Sequence, residues 1–64
     1  MKRVYACLLG NWTDITDDGL LHQRAPLTYI DEEIQDMFKY DYINVSYKDK
    51  NYRIHPSFIQ VVTE

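Results

Sequence analysis

The side chains that could take part in catalysis are one cysteine, two histidines and several aspartates. Cys7 lies in the most apolar run of the chain, where a cysteine behaves as a small, unreactive, buried hydrophobic residue. His22 and His55 are expected to be surface or half-buried imidazoles rather than bases or ligands. Catalysis needs a nucleophile, a base and an orienting group within reach of one another, so we predict no catalytic residues and no enzyme.

A metal site is also not expected. No pair of cysteines or histidines has the spacing of zinc ligands. Asp14, Asp17 and Asp18 are similar to the start of a calcium loop, but the twelfth position, which needs a bidentate glutamate, is Ala25. The pattern favours a solvated turn, with no metal and no cofactor.

Aromatic side chains are the more informative group, because one tryptophan, six tyrosines and two phenylalanines are hard to bury in 64 residues. Tyrosine and tryptophan are enriched at protein interfaces because they bury a large area at a small entropic cost. The aromatic residues predicted to lie in the core are Phe38, Tyr47 and Tyr52. Those predicted to contact a partner are Trp12, Tyr29, Tyr40 and Tyr42.

The elements that position these side chains begin with a strand at residues 4–9. Turn residues follow, and Asp18-Gly19 favours a tight turn in which glycine has a positive φ. A second strand is predicted within residues 20–27, as an edge or with an early end because Pro26 cannot donate to a ladder.

One amphipathic helix is predicted near residues 30–39, with its N-cap at Thr28 or Asp31. Its apolar stripe consists of Ile30, Ile34, Met37 and Phe38. We expect Ile34 and Phe38 to anchor the helix. The opposite face is predicted to form one acidic patch, composed of Glu32, Glu33 and Asp36.

A hairpin is predicted after the helix, because the hydrophobic period becomes two. Inward residues must face inward residues, so we expect Val45 to pair with Ile54 and Tyr47 with Tyr52, across a turn at residues 48–51. A last strand is predicted at residues 58–62.

The net charge of the middle segment and the lengths of the apolar runs limit the classes of partner. Residues 13–41 hold eight acids against two bases, a net −6, whereas nucleic-acid binding depends on a basic surface. The apolar run at residues 4–9 is shorter than the roughly 7–15 residues of a secretory signal, and no stretch approaches the ~20 of a membrane span. With a single cysteine, these features predict a cytoplasmic protein that contacts neither nucleic acid nor membrane.

The end of the chain resembles SH3 and SH3-like barrels, in which a hairpin leads through a Pro-Ser 3₁₀ turn to an aromatic residue and a closing strand. This resemblance covers about the last twenty residues, the C-terminal third of the chain, and its motif runs from Ile54 to Val62. It implies a barrel topology and assigns proline-peptide binding to Pro56 and Phe58.

These features together predict a single α+β domain at residues 1–64: a small SH3-like barrel or strongly bent antiparallel sheet of about five short strands, with one helix. The predicted function is a non-enzymatic protein–protein interaction module that uses exposed aromatics and an acidic helix face, with a partner that carries a basic surface. The sequence is also compatible with a homo-oligomer. The alternative is an acidic nucleic-acid mimic or inhibitor of a phage or mobile element, in which Asp31, Asp41 and the patch acids replace phosphates.

Overall fold

The computed structural model describes residues 1–33 and 35–64, with every side chain in those ranges except that of Phe38. These residues form six strands, one α-helix and two 3₁₀ helices. The strands are β1 (Lys2–Leu8), β2 (Asn11–Asp14), β3 (Gly19–Leu21), β4 (Ile43–Tyr47), β5 (Lys50–Ile54) and β6 (Ile59–Thr63). The helix α1 spans Pro26–Glu33, and the 3₁₀ helices span Met37–Lys39 and Pro56–Phe58.

The strands form two three-stranded antiparallel sheets. In the first sheet β1 lies between β2 and β6, and in the second β4 lies between β3 and β5. The predicted α+β class is confirmed, with six strands rather than five. No ladder joins the two sheets within the described residues, so a closed barrel is not observed.

The first strand shows how the sequence selects the inner face of a sheet. Val4, Ala6 and Leu8 are buried, and the residues between them are partly exposed, which is the period of two expected for a strand with one face on the core. The strand ends before Leu9, which is exposed and has a positive φ. The strand therefore begins two residues earlier and ends one residue earlier than predicted.

One hydrophobic cluster draws side chains from both sheets and the helix. The buried members are Val4, Ala6, Leu8, Ile15, Leu21, Tyr29, Ile30, Met37, Ile43, Val45 and Ile59. Helix α1 contacts β1 and β3. Because an eight-residue helix is unstable in isolation, α1 depends on burying Pro26, Tyr29 and Ile30 against the sheets.

The helix begins four residues before the predicted start and ends well before residue 39. Pro26 is its first residue, where proline has a suitable fixed φ and its missing N–H is not needed. The predicted second strand is therefore limited to Gly19–Leu21. Thr28 and Asp31 lie within the helix, so neither is an N-cap as predicted.

The C-terminal part of the predicted helix, at Met37–Lys39, is a 3₁₀ helix and not part of α1. Met37 lies in a 3₁₀ helix and is buried, so it packs inward without belonging to α1. The prediction that Ile34 and Phe38 anchor the helix falls on Ile34 and on the side chain of Phe38, which lie outside the described residues.

The hairpin of β4 and β5 has the predicted inward parity but a different register. Val45 pairs with Tyr52 rather than Ile54, and Tyr47 pairs with Lys50 rather than Tyr52. The register is displaced by two residues, so the inward side chains stay inward. Tyr47 and Tyr52 are packed against the core, as expected.

The displacement arises because the turn contains two residues instead of four. Lys48 and Asp49 both have positive φ, at 49° and 66°. Such two-residue turns match the right-handed twist of the flanking strands, and they usually contain Asn or Gly. Since Lys-Asp lacks that signature, the sequence pattern favoured the longer turn.

Gly19 is required for space rather than for a positive φ, contrary to the prediction. A Cβ on Gly19 would lie 2.6 Å from Ile15 Cβ and 3.0 Å from the Ile15 carbonyl oxygen. The Gly19 N–H donates to that same carbonyl at 3.0 Å. The loop between β2 and β3 can therefore close only on a glycine.

Candidate functional site

The residues predicted to bind a partner do not form one surface. Tyr29 is 3% exposed and Pro56 is fully buried, so neither side chain is exposed on the surface of the protein. Tyr29 lies on the buried side of α1, and Pro56 is the buried first residue of the 3₁₀ helix before β6. The remaining aromatic candidates, Trp12, Tyr40, Tyr42 and Phe58, are each between 43% and 49% exposed.

Trp12 lies on the outer face of the first sheet, and Phe58 lies beside the end of that sheet. Trp12 pairs with Cys7 in the β1–β2 ladder, so the two side chains share the face opposite Val4 and Ala6. The β1–β6 ladder ends at Ala6 and Ile59, and the exposed Phe58 precedes it as the last residue of the 3₁₀ helix Pro56–Phe58. Trp12 and Cys7 therefore form a nonpolar pair on the outer face, and Phe58 adds a third nonpolar side chain beside the end of β6.

The next positions on the same face extend this surface. Tyr5 pairs with Asp14 on one side and Gln60 on the other, and Val62 pairs with Arg3. We call the surface formed by Tyr5, Cys7, Trp12 and Val62, together with the adjacent Phe58, the aromatic face. The outer side of an antiparallel sheet is usually polar when it faces solvent, so Tyr5 and Trp12 are unusual there.

Sequence reasoning missed three members of this face, Tyr5, Cys7 and Val62. Cys7 was predicted to be buried, but it is partly exposed on the outer side of β1. Tyr5 is likewise partly exposed. The alternation of Val4, Ala6 and Leu8 contains the signal that places both residues outward, but the short apolar run was interpreted as a strand buried on both faces.

An ion-pair cluster lies beside the aromatic face. Arg3 Nε and Nη2 donate to Asp14 Oδ2 at 3.0 and 2.8 Å, and Nη2 also donates to Asp17 Oδ2 at 3.1 Å. One guanidinium against two carboxylates leaves a net charge of −1. The exposed Asp18 adds a further negative charge, so this edge of the face is acidic.

Asp14 is held in its ionised form by a buried threonine. The Thr16 hydroxyl donates to Asp14 Oδ1 at 2.7 Å, and the Thr16 N–H donates to the same oxygen at 3.0 Å. These two bonds, followed by those from Arg3, lower the pKa of Asp14 from 3.8 to about 2. The Thr16 hydroxyl also accepts the Val4 N–H at 2.8 Å, which links the cluster to β1.

The outer face of the second sheet is polar. Asn44 pairs with Arg53 and Ser46 with Asn51, and the Ser46 hydroxyl donates to Asn51 Oδ1 at 2.8 Å. An open groove of about 530 Å³ lies over these side chains. Tyr42 belongs to this side, since the Arg53 guanidinium lies 4.8 Å from its ring centroid. Trp12 is therefore in the first sheet, whereas Tyr42 lies beside the second.

The acidic patch predicted on one helix face is not observed. Glu32 and Glu33 lie 3.0 and 3.5 Å from Arg24 Nη1, and Asp36 lies 3.1 Å from Lys39 Nζ. Asp36 also lies beyond the end of α1. Each carboxylate of the predicted patch thus has a cationic neighbour, although such exposed pairs contribute only about 0–1 kcal/mol each.

The polar side chains give no sign of a metal site. Within the described ranges, no three residues of the types His, Cys, Asp and Glu come together as ligands. His55 accepts the Ser57 N–H through Nδ1 at 3.1 Å, and the same atom lies 2.9 Å from the Ser57 hydroxyl. That imidazole caps the 3₁₀ helix before β6.

The part of the chain that the structure describes includes no helix with the length and apolar character needed to cross a membrane.

The chain matches no protein-family model, no curated protein and no solved structure.

Proposed function

We propose that this protein is a non-enzymatic protein–protein interaction module and that the aromatic face is its contact surface. The observation that carries the proposal is the exposed Trp12 beside Cys7 on the outer face of the first sheet, with the exposed Phe58 next to the end of the same sheet. Trp12 and Phe58 remain 49% and 47% exposed, and binding energy in protein interfaces is concentrated in such aromatic side chains. The second sheet, with its polar outer face, serves as the contrasting surface.

The proposed partner is a protein whose apolar contact residues are flanked by basic ones. The edge of the aromatic face holds Asp14 and Asp17 against Arg3, with Asp18 beside them, and its net charge is negative. A basic rim on the partner would complement this edge and accelerate association. The proposal includes a cytoplasmic location, because a lone cysteine on an exposed face suits a reducing compartment.

The acidic mimic of a nucleic acid is less well supported. Such a mimic presents unpaired carboxylates at phosphate-like spacing, whereas Glu32 and Glu33 share Arg24, and Asp36 is paired with Lys39. The mimic would also make no use of the aromatic face.

An SH3-like relationship remains part of the proposal at the level of topology. In its support, the first and last strands pair, β3, β4 and β5 form a meander, and a 3₁₀ helix at Pro56–Phe58 precedes the closing strand. Helix α1 is then an insertion between β3 and β4. Peptide binding through Pro56 is not included in the proposal, because that residue is buried.

The test begins with affinity capture and continues with titration of the purified partner. The bait variants are Trp12→Ala with Phe58→Ala, which removes both exposed aromatic side chains of the aromatic face, and Tyr42→Ala as the control. Tyr42 is 43% exposed beside the second sheet, so it controls for the loss of one exposed aromatic side chain. Circular dichroism verifies that each bait is folded.

We expect wild type and Tyr42→Ala to capture the same protein. The double variant should bind this protein at least 100-fold more weakly in calorimetry, because it lacks two interface anchors that contribute about 2 kcal/mol each. Equal affinity of the double variant and wild type would contradict the proposal.

Sedimentation velocity of the free protein tests whether the partner is a second copy of the chain. Binding that disappears between 50 and 300 mM salt (roughly a twofold change in Debye length) without depending on Trp12 would favour the acidic mimic instead.

A further inference from the structure

A small pocket lies between the β3–α1 turn and the segment after the 3₁₀ helix Met37–Lys39, and none of its residues belongs to the aromatic face. Its volume is about 260 Å³, and its walls are His22, Arg24, Tyr29, Glu33 and Tyr40. The His22 ring centroid lies 5.5 Å from that of Tyr29 and 5.9 Å from that of Tyr40. Three aromatic rings therefore meet around one space.

Two polar atoms in this pocket are buried without a protein partner. His22 Nε2 and the Tyr29 hydroxyl oxygen are shielded from solvent, and neither forms a hydrogen bond to any described residue. Leaving such groups unpaired is unfavourable by about 1–3 kcal/mol each, so native proteins seldom retain them without a reason. Tyr29 itself is 3% exposed, whereas Tyr40, the outer wall, is 47% exposed.

The backbone that presents His22 is also unfavourable. His22 and Gln23 have φ values of 50° and 69°, in a turn closed by hydrogen bonds of 2.8 and 3.0 Å between Leu21 and Arg24. A non-glycine residue in this region is destabilised by about 1–2 kcal/mol, and neither residue is the Asn or Gly that such turns favour. The His22 N–H bonds to the Asn44 carbonyl at 2.9 Å, which fixes the turn to β4.

The charges around the pocket sum to a negative value. Arg24 is the cation, and Glu32 and Glu33 are the carboxylates paired with it, which leaves −1. Burial raises the pKa of the Tyr29 phenol, and Tyr40 and Glu33 raise it further against the opposing effect of Arg24. The pocket thus disfavours an added negative charge.

We propose that this pocket binds an organic cation with N–H donors, of the ammonium or guanidinium type. Its N–H groups donate to the Tyr29 hydroxyl oxygen and to His22 Nε2, in the tautomer that carries its proton on Nδ1. Its charge is balanced by the excess negative charge of Glu32 and Glu33 over Arg24, and it contacts the faces of the aromatic rings, where cations are attracted within about 6 Å of a centroid. The half-exposed Tyr40 ring moves aside to admit it.

Binding is tested by NMR titration of the full chain with butylammonium, with N-methylguanidinium and, as the anionic counterpart, with phosphate at constant ionic strength. We expect saturable shifts at residues 22, 29, 33 and 40 for at least one cation, with dissociation constants in the roughly millimolar range typical of so small a ligand. Saturation by phosphate at these residues, or no saturation by either cation up to 50 mM (about fifty times that constant), would overturn the proposal.

Three variants make the test specific. Tyr29→Phe should weaken cation binding at least tenfold, the loss expected for a hydrogen bond to a charged group. Glu33→Gln should weaken it several-fold, whereas Asp36→Asn, which removes a carboxylate outside the pocket, should change it less than twofold. Identical affinity in wild type and Tyr29→Phe would overturn the proposal.

Thermal unfolding of the free Tyr29→Phe protein provides an independent readout. An unpaired hydroxyl contributes nothing to the free protein, so its removal should leave the melting temperature unchanged or raise it by a few degrees. A fall of more than about 5 °C would mean that the hydroxyl is already satisfied, and would overturn the proposal.

The source of the cation is distinguished by a tripeptide, Gly-Lys-Gly with blocked ends, and its arginine counterpart. If either peptide binds more tightly than the free cation, the ligand is a side chain of another protein. Weaker binding of both peptides identifies a free amine or guanidine. Both outcomes support an organic-cation site.

Discussion

Asp14 is the residue whose ionisation is most closely coupled to the fold. Its pKa is about 2 when folded, against 3.8 for an ordinary aspartate, because Thr16 and then Arg3 stabilise the carboxylate. A carboxyl group with a lowered pKa in the folded state stabilises the protein above the unfolded value, and this contribution is lost as the pH falls through the folded value. We therefore expect stability to fall between about pH 5 and pH 2.

Urea unfolding of wild type and Asp14→Asn at several pH values measures this contribution. The variant should be less stable at pH 7 and should lose less stability than wild type on acidification. The exposed Asp18→Asn variant controls for the loss of one negative charge. Parallel curves for wild type and Asp14→Asn would contradict the assigned role of Asp14.

Gly19 gives a second prediction at the scale of one residue. A methyl group there would meet Ile15 Cβ at 2.6 Å, so Gly19→Ala should lower the free energy of unfolding by about 1–3 kcal/mol. The neighbouring Asp18→Ala, at an exposed position, should change it by less than about 0.5 kcal/mol. If both variants unfold at the same urea concentration, the loop does not close on Ile15.

Cys7 shows the limit of reasoning from a single run of residues. The six residues from Val4 to Leu9 are all apolar apart from the tyrosine hydroxyl, and this pattern does not distinguish a strand buried on both faces from one with an exposed aromatic side. The difference depends on whether another layer covers the sheet. That information is not local, so Cys7 and Tyr5 were not predicted as surface residues.

At the scale of elements, the turns determine what could be predicted. The parity of β4 and β5 follows from hydrophobic alternation and was predicted, whereas the register depends on a turn whose residues give no signal. Similarly, Pro26 signals either the end of a strand or the first turn of a helix, and only packing against β1 and β3 decides between them.

The turn itself offers a test of the register. Lys48 and Asp49 both have positive φ, which is unfavourable for non-glycine residues. Replacing them with Asn and Gly should therefore raise the free energy of unfolding by about 1 kcal/mol. Thermal unfolding measures the gain, and Asp41→Gly in the segment before β4 serves as a glycine control expected to give none. A loss of stability in the Asn-Gly variant would favour the longer turn at residues 48–51.

For the whole molecule, the proposed function depends on the contrast between the outer faces of the two sheets. The first sheet presents Tyr5, Cys7 and Trp12, with Phe58 beside its end, and the second presents Asn44, Ser46 and Arg53. Trp12 and Phe58 are far apart in the sequence, and the ladders that join β1 to both β2 and β6 bring their segments to one sheet. Grouping Trp12 with Phe58 therefore required the structure.

The most direct test of the central proposal maps amide shifts of the ¹⁵N-labelled protein on adding the purified partner found by capture. We predict the largest changes at residues 5, 7, 12, 58 and 62, with residues 44, 46, 51 and 53 unchanged. Changes confined to the second sheet, with the first sheet unaffected, would contradict the proposal that the aromatic face is the interaction surface.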